Sequence, residues 1–287
     1  MTITRHRRTK AEIAQLENQI ADVLHLDHPQ SVRHVYYRMT DPRLDEPVLK
    51  TEQGYKQIVH RMTAMRRAGL IPYGWISDTT RTGYFVNAYR NAADFLRATA
   101  GLYRANIWAD LPVYCEVWVE SRSIAGVVLA DCQELGVSLY PAGGFSSITF
   151  AYEAAGFINR EHDDRLVLIL YIGDYDPAGV LIDVAIEREI RAHLDQDVRM
   201  QFMRIGITAE QVAQYDLPTK PRKEGDKRSL HITETVEAEA MPAGIMRSLL
   251  RRQIEALLPD NALAVAKAAE ASERDFLLRL ARRHNGR

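Results

Sequence analysis

Among 287 residues there are only two cysteines, Cys115 and Cys132, and they form neither a CxxC pair nor a zinc-ligand spacing with the scattered histidines. This excludes a disulfide framework and a finger-type zinc site. Both lie in segments of apolar periodicity and read as packing residues. Long apolar runs are also missing. No segment reaches the roughly 18 consecutive apolar residues of a membrane helix, and the N-terminus has basic residues without an apolar signal core. The expectation is a cytoplasmic protein with no membrane partner. Internal repeats and low-complexity tracts are absent, and so is net charge, which is −1 overall.

What is present is ordinary in amount and uneven in distribution. With 46% hydrophobic and 26% charged residues, the composition is that of a soluble globular protein. The length suits two domains of about 100 to 200 residues each. Residues 1–110 carry 16 Lys and Arg against 11 Asp and Glu, whereas the remainder carries 21 against 27. The front is basic and the back acidic, a split compatible with DNA binding by the front half.

In the front half, Thr9 and Glu12 have capping-box spacing ahead of Ile13, Leu16, Ile20, Val23 and Leu24, which predicts a first helix. Pro29 and Ser31 open a second, with Val32, Val35, Tyr36 and Met39 on one stripe. A third runs from about Glu52 to Ala68, with Tyr55, Ile58, Val59, Met62 and Met65 inward and Gly69 as its C-cap. LIPYGWISD reads as a short hairpin. Three helices and a β wing predict a winged-helix DNA-binding domain over residues 1–81, its third helix carrying Lys56, Arg61, Arg66 and Arg67 toward phosphates. Residues 82–110 read as a connecting helix and linker.

From residue 111 the period changes. Strands at Val113–Val119, Val137–Tyr140 and Leu166–Ile172 alternate with helices at Ile124–Leu135, Ser147–Ile158 and Pro177–Leu194, which predicts an α/β domain with a parallel sheet flanked by helices over residues 111–287. Val198–Ile205 adds a strand, Thr219–Ser229 reads as a mobile basic loop, and helices at about Pro242–Leu257 and Asn261–Arg283 complete the domain.

Arg165–Gly179, RLVLILYIGDYDPAG, is the segment richest in chemistry. A strand buried on both faces breaks at Gly173 and presents Asp174 and Asp176 at its carboxyl end, where ligands of parallel sheets collect. Two clustered carboxylates repel unless a cation lies between them, and Mg²⁺ takes hard oxygen ligands together with substrate phosphates. Asp176 before Pro177 also suits a plain helix N-cap, which would leave Asp174 and the glycines without a role. The strand ending VYCEVWVES puts Glu120 at a second carboxyl end. Glu237 and Glu239, in TVEAEAMP, have strand spacing and read either as further metal-site acids or as a solvated edge.

A strand ending in Glu120, a glycine turn at Gly143–Gly144 and a strand ending in DxDPxG resemble the Toprim domain. Ser31–Met39, SVRHVYYRM, resembles the R-x-x-[YF]-Y segment of the topoisomerase VI A-subunit family, the type IIB topoisomerases, and its meiotic double-strand-break relatives, which also share the order of winged helix before Toprim. The resemblance implies that Tyr37 is a nucleophile attacking a DNA phosphate, that Glu120, Asp174 and Asp176 hold Mg²⁺ or its substitute Mn²⁺, and that Glu120 exchanges the leaving oxygen's proton. It also implies a homodimer in which each tyrosine serves the opposite protomer's metal site, and a nucleoid-associated protein acting on double-stranded DNA. Read from the helix itself, Tyr36 belongs to the apolar stripe and Tyr37 is turned about 100° away, one turn from Arg33. Arg33 there suits either favouring the phenolate or holding the phosphate.

Nothing resembles a GHKL ATPase or a P-loop lysine motif, so strand passage would need a separate GHKL-type ATPase subunit. Otherwise the chain is a reduced plasmid- or phage-type version that cleaves without it. A rival is a hydrolytic Toprim nuclease of the defence type, in which water replaces tyrosine. A second is a DNA-binding regulator with an inert Toprim-like half.

Overall fold

The computed structural model describes residues 8–77, 86–143, 148–161, 164–222 and 228–284. Helices α1 (Lys10–Leu26), α2 (Val32–Met39) and α3 (Glu52–Arg67) come first. Thr9 and Glu12 complete the capping box of α1, Ser31 caps α2 by accepting from the His34 amide, and Thr51 caps α3. Leu16, Ile20, Leu24, Val35, Ile58, Met62 and Met65 are buried, as the helical period requires, but Val59 is 37% exposed.

The expected hairpin after α3 is not seen among the described residues. Tyr73–Trp75 is a 3₁₀ turn, and Ile76 makes an isolated parallel bridge to Gln30. Pro72 favours the turn, and the Ser77 amide donates to the Gln30 carbonyl at 2.9 Å, joining this stretch to the entrance of α2. Residues 78–81 of the expected wing lie outside the described residues. So do 82–85 of the linker, whose helix α4 covers Ala92–Thr99.

The back half is mixed α/β. Four parallel strands, β1 (Val113–Val119), β2 (Ser138–Pro141), β3 (Leu166–Ile172) and β4 (Met200–Gly206), lie in the order β2-β1-β3-β4. Their crossovers are α5 (Arg122–Glu134), α6 (Ile148–Glu161) and α7 (Gly179–Arg191). Val119 pairs with Ile172 and with Pro141, so the three strands end level with one another. Ser147 and Gly144 lie outside the described residues.

The pleat divides the sheet's side chains between two cores. Cys115, Val117, Val119, Leu168, Leu170 and Ile172 join the front helices and helix α9 (Ala243–Glu255) in one continuous cluster. Trp118, Ile169 and Tyr171 face α6 and α7 on the other side. Glu116, fully buried on that side, accepts from Tyr114 Oη and Trp118 Nε1 at 2.9 Å each, and burial pushes its carboxyl up.

After β4 come α8 (Ala209–Gln214), a small ribbon of β5 (Lys220–Pro221) and β6 (Glu234–Thr235), then α9 and α10 (Ala262–His284). Lys220 and Pro221, expected in a mobile loop, are therefore paired strand residues, and residues 223–227 lie outside the described residues. No helix among the described residues is long and apolar enough to cross a membrane.

Candidate active site

Parallel pairing of β1 with β3 places Glu120 and Asp174 beside each other, each just past its strand's carboxyl end. The Glu120 amide donates to the Ile172 carbonyl at 2.9 Å, and its own carbonyl accepts from Gly143 N–H at 2.8 Å. Its carboxylate Oε2 accepts from the Asp174 amide at 2.8 Å. Gly173 and Gly179 make this turn close. A Cβ on Gly173 would stand 2.6 Å from Tyr171 Oη and 2.8 Å from Glu120 Oε2, and one on Gly179 would stand 2.3 Å from the Asp174 carbonyl oxygen. Both are far inside contact distance; at Gly173 the obstacles are side chains, whereas at Gly179 they are backbone, so there only glycine fits.

Asp176 does cap the following helix: its Oδ1 accepts from the Ala178 amide at 2.8 Å and the Gly179 amide at 2.6 Å. Asp174 Oδ1 accepts from the Ala238 amide at 2.8 Å. That bond depends on Tyr175 and Val236, which exchange two backbone hydrogen bonds of 2.8 Å and join the segment bearing Glu237 and Glu239 to the DxD turn. Arg204 of β4, which sequence reasoning missed, clamps the turn from behind. Its Nη1 donates to the carbonyls of Gly173 and Asp174 and its Nη2 to that of Gly179, while Nε pairs with Asp183 at 2.6 Å. Its signal in the sequence is a lone arginine inside the apolar strand MQFMRIG.

These groups line a cavity of about 560 Å³ that brings together Arg33, Glu120, Asp174, Asp176, Lys220, Glu237 and Glu239. Burial, reinforced by the neighbouring Glu120 charge, pushes the Asp174 carboxyl up to about 8, and burial also raises Glu120. Among the described residues none of Glu120, Asp174 and Asp176 is in an ion pair. The three carboxylates share one cavity, but among the described residues no three His, Cys, Asp or Glu side chains stand close enough together to hold a metal ion as they are. The donor set is hard oxygen, half-buried, and in no ion pair among the described residues. Such a set suits Mg²⁺, which would draw these side chains in.

Glu239 is buried at 6% exposure and accepts from the Ser121 and Ser123 hydroxyls, so it is no solvated edge. Glu237 faces cations instead. Lys220 Nζ donates to its Oε1 at 2.7 Å and Arg33 to its Oε2. Burial opposes ionisation of Glu237, but these two partners outweigh it and hold the carboxyl below its usual value.

Tyr37, turned about 100° from the apolar stripe of α2, is packed in all the same. It is 3% exposed, as buried as Tyr36 at 5%, because the second face of α2 packs against the 3₁₀ turn Ala238–Ala240, where Arg38 donates to the Ala240 carbonyl. The negative charge of Glu237 acts on the Tyr37 hydroxyl, and burial together with that charge pushes the phenol above its ordinary value. Arg33 nearby lowers it, but by less. The expected phenolate-favouring effect of Arg33 is thus overridden at rest. Lys50, which carried no signal in the sequence, and Lys220 lie against the ring, with Nζ 5.5 and 5.7 Å from its centroid. Arg33 lines the carboxylate cavity, whereas Tyr37 does not: it lines a neighbouring cavity with Arg38, Thr40 and Tyr215.

The four basic residues of α3 do not share one surface. Lys56 pairs with Glu52 at 2.6 Å and lines a shallow groove with His60 and Arg33, so this groove meets the acidic cavity at Arg33. Arg67 is exposed and continues that stripe by helical spacing. Arg61 instead turns to Glu17 of α1 at 3.4 Å, and Arg66 folds over the Tyr73 ring. No family model matches the chain, and neither a curated protein nor a solved structure matches it.

Proposed function

We propose that this protein cleaves double-stranded DNA by transesterification through Tyr37, in the manner of the cleaving subunits of topoisomerase VI. The observation that carries this reading is the cavity where Glu120 and Asp174, from adjacent parallel strands, meet Asp176 and Arg33, with Tyr37 outside its lining and its ring against Lys220, which does line it. An acidic floor beside a cationic shelf suits a phosphodiester and a divalent cation together. The front helices serve as a winged-helix-type DNA-binding unit, the groove of Lys56 and His60 leading the duplex to Arg33.

Glu120, Asp174 and Asp176 would hold Mg²⁺ or Mn²⁺, which supplies Lewis-acid stabilisation of charge on the phosphate. Tyr37 Oη attacks phosphorus and forms a phosphotyrosyl bond as the bond to the 3′ oxygen breaks. Glu237, whose charge acts on Tyr37, takes the phenolic proton, and Glu120 exchanges the proton of the departing 3′ oxygen. Paired cuts call for a homodimer, and strand passage for a GHKL-type ATPase subunit.

The burial of Tyr37 favours a second reading, hydrolysis by water at the same carboxylates, since a 3% exposed phenol must be uncovered before it can attack. Supercoiled plasmid cleavage in Mg²⁺, stopped with denaturant, separates the two. Tyr37→Phe and Asp174→Ala are each expected to lower cleavage at least about a hundredfold, and wild type is expected to leave protein bound covalently to DNA. Full activity of Tyr37→Phe without an adduct would establish the hydrolytic reading instead.

A further inference from the structure

The ion pairs around Glu237 have a shape that the cleavage reading does not use. Each carboxylate oxygen takes one cation, Oε1 from Lys220 at 2.7 Å and Oε2 from Arg33. The two non-bridging oxygens of a phosphodiester offer the same pattern with the same charge. Glu237 differs from its neighbours in this: among the described residues, Asp174, Asp176 and Glu239 accept from backbone amides or serines, and only Glu237 in the cavity faces cations.

The cations outnumber it. Lys50 lies on the Tyr37 ring with Lys220, the Lys50 Nζ bonded to the carbonyl of Thr219 at 2.6 Å, so a third cation stands near the two that hold Glu237 and feels its charge. Both partners of Glu237 are partly open to solvent, Arg33 at 41% and Lys220 at 42% side-chain exposure. Ion pairs that exposed are weak and yield to a competing anion.

We propose that Arg33 and Lys220 form a subsite for one backbone phosphate of DNA, and that Glu237 occupies it in the free protein as an internal substitute that the phosphate displaces. The proposal rests on the DNA-cleavage reading and adds to it a restraint on the same site. Glu237 keeps the cationic shelf from holding other anions and releases it where a duplex has seated along α3.

The test is binding of a short duplex to the full chain in EDTA, followed by fluorescence anisotropy across a salt series. Glu237→Gln is expected to bind roughly tenfold tighter at low salt, with a log-log salt slope steeper by about 0.9, the equivalent of one more phosphate contact. Glu237→Asp, which keeps the charge but withdraws it from the cations, is expected to shift the same way by less, and it serves if Glu237→Gln does not fold. Glu239→Gln removes the same charge without freeing a cation, so its slope is expected to match wild type. Adding Lys220→Gln to Glu237→Gln is expected to erase the gain.

Wild-type or weaker binding by Glu237→Gln, or a gain that survives loss of Lys220, would overturn the proposal while leaving cleavage untouched. Tighter binding by Glu237→Gln in a protein that never cuts plasmid would uphold the subsite and sink the cleavage reading. No binding of duplex by any form would overturn both.

Discussion

Gly179 carries a constraint that its small size conceals. A methyl group there would stand 2.3 Å from the carbonyl oxygen of Asp174 and 3.0 Å from its carbonyl carbon, both backbone atoms of a turn clamped by Arg204. We expect Gly179→Ala to cost about 1–3 kcal/mol of stability in urea unfolding, the usual cost of forcing atoms into a filled site. A wild-type midpoint would mean that the turn shifts freely. At this scale the DxD motif was legible because glycine and paired carboxylates have few other uses at a strand end. Glu120 was legible for the same reason. The surroundings of Tyr37 were not, because its burial depends on residues about 200 positions away, the turn Ala238–Ala240 and Glu237. Lys50 and Arg204 also act through contacts that no local pattern encodes.

Among the elements, α2 bears the clearest dependence on acidity. His34 is 1% exposed, its Nδ1 hydrogen-bonded to Ser31 Oγ and its Nε2 without a partner. Burial first, then the charges of Arg38 and Arg247, lower its pKa from 6.5 to about 3. The unfolded chain therefore binds a proton in this window that the folded chain refuses. Stability present above pH 6.5 falls as pH drops toward 3, by at most roughly 1.4 kcal/mol per pH unit. His34→Phe keeps a ring in place and is expected to remove one proton's worth of this slope in thermal unfolding measured between pH 4 and 7; an unchanged slope would show that other groups carry it. The strands β1 and β3 have the ends expected from sequence, because apolar residues, interrupted only by Glu116 in β1, run up to proline, charge or glycine at each boundary. The hairpin expected after α3 does not form among the described residues, since LIPYGWIS has strand-like residues but a proline and glycine that close a 3₁₀ turn.

For the molecule as a whole, the boundary drawn from charge and periodicity does not interrupt the packing. One cluster runs from Leu16 and Val35 through Val117 and Ile172 to Met246 and Leu250. Asp27, at the end of α1, joins it at the surface: Oδ2 accepts from the Gly244 amide at 2.6 Å and Oδ1 from Arg247. Asp27→Ala leaves Arg247 without this partner and is expected to cost about 1.5–3 kcal/mol, lowering one common melting transition seen by both calorimetry and circular dichroism. A split into two transitions would show that front and back melt separately. The shared core was hidden from the sequence, where each helix shows an apolar face but not what covers it.

The continuous core also restricts how such a chain can be rearranged over generations. A front half borrowed from another protein would meet α9 and the sheet with the wrong side chains. The front helices and the carboxylate floor would therefore have to change as a set, a substitution in one being filtered by its fit to the other before any effect on the site is felt.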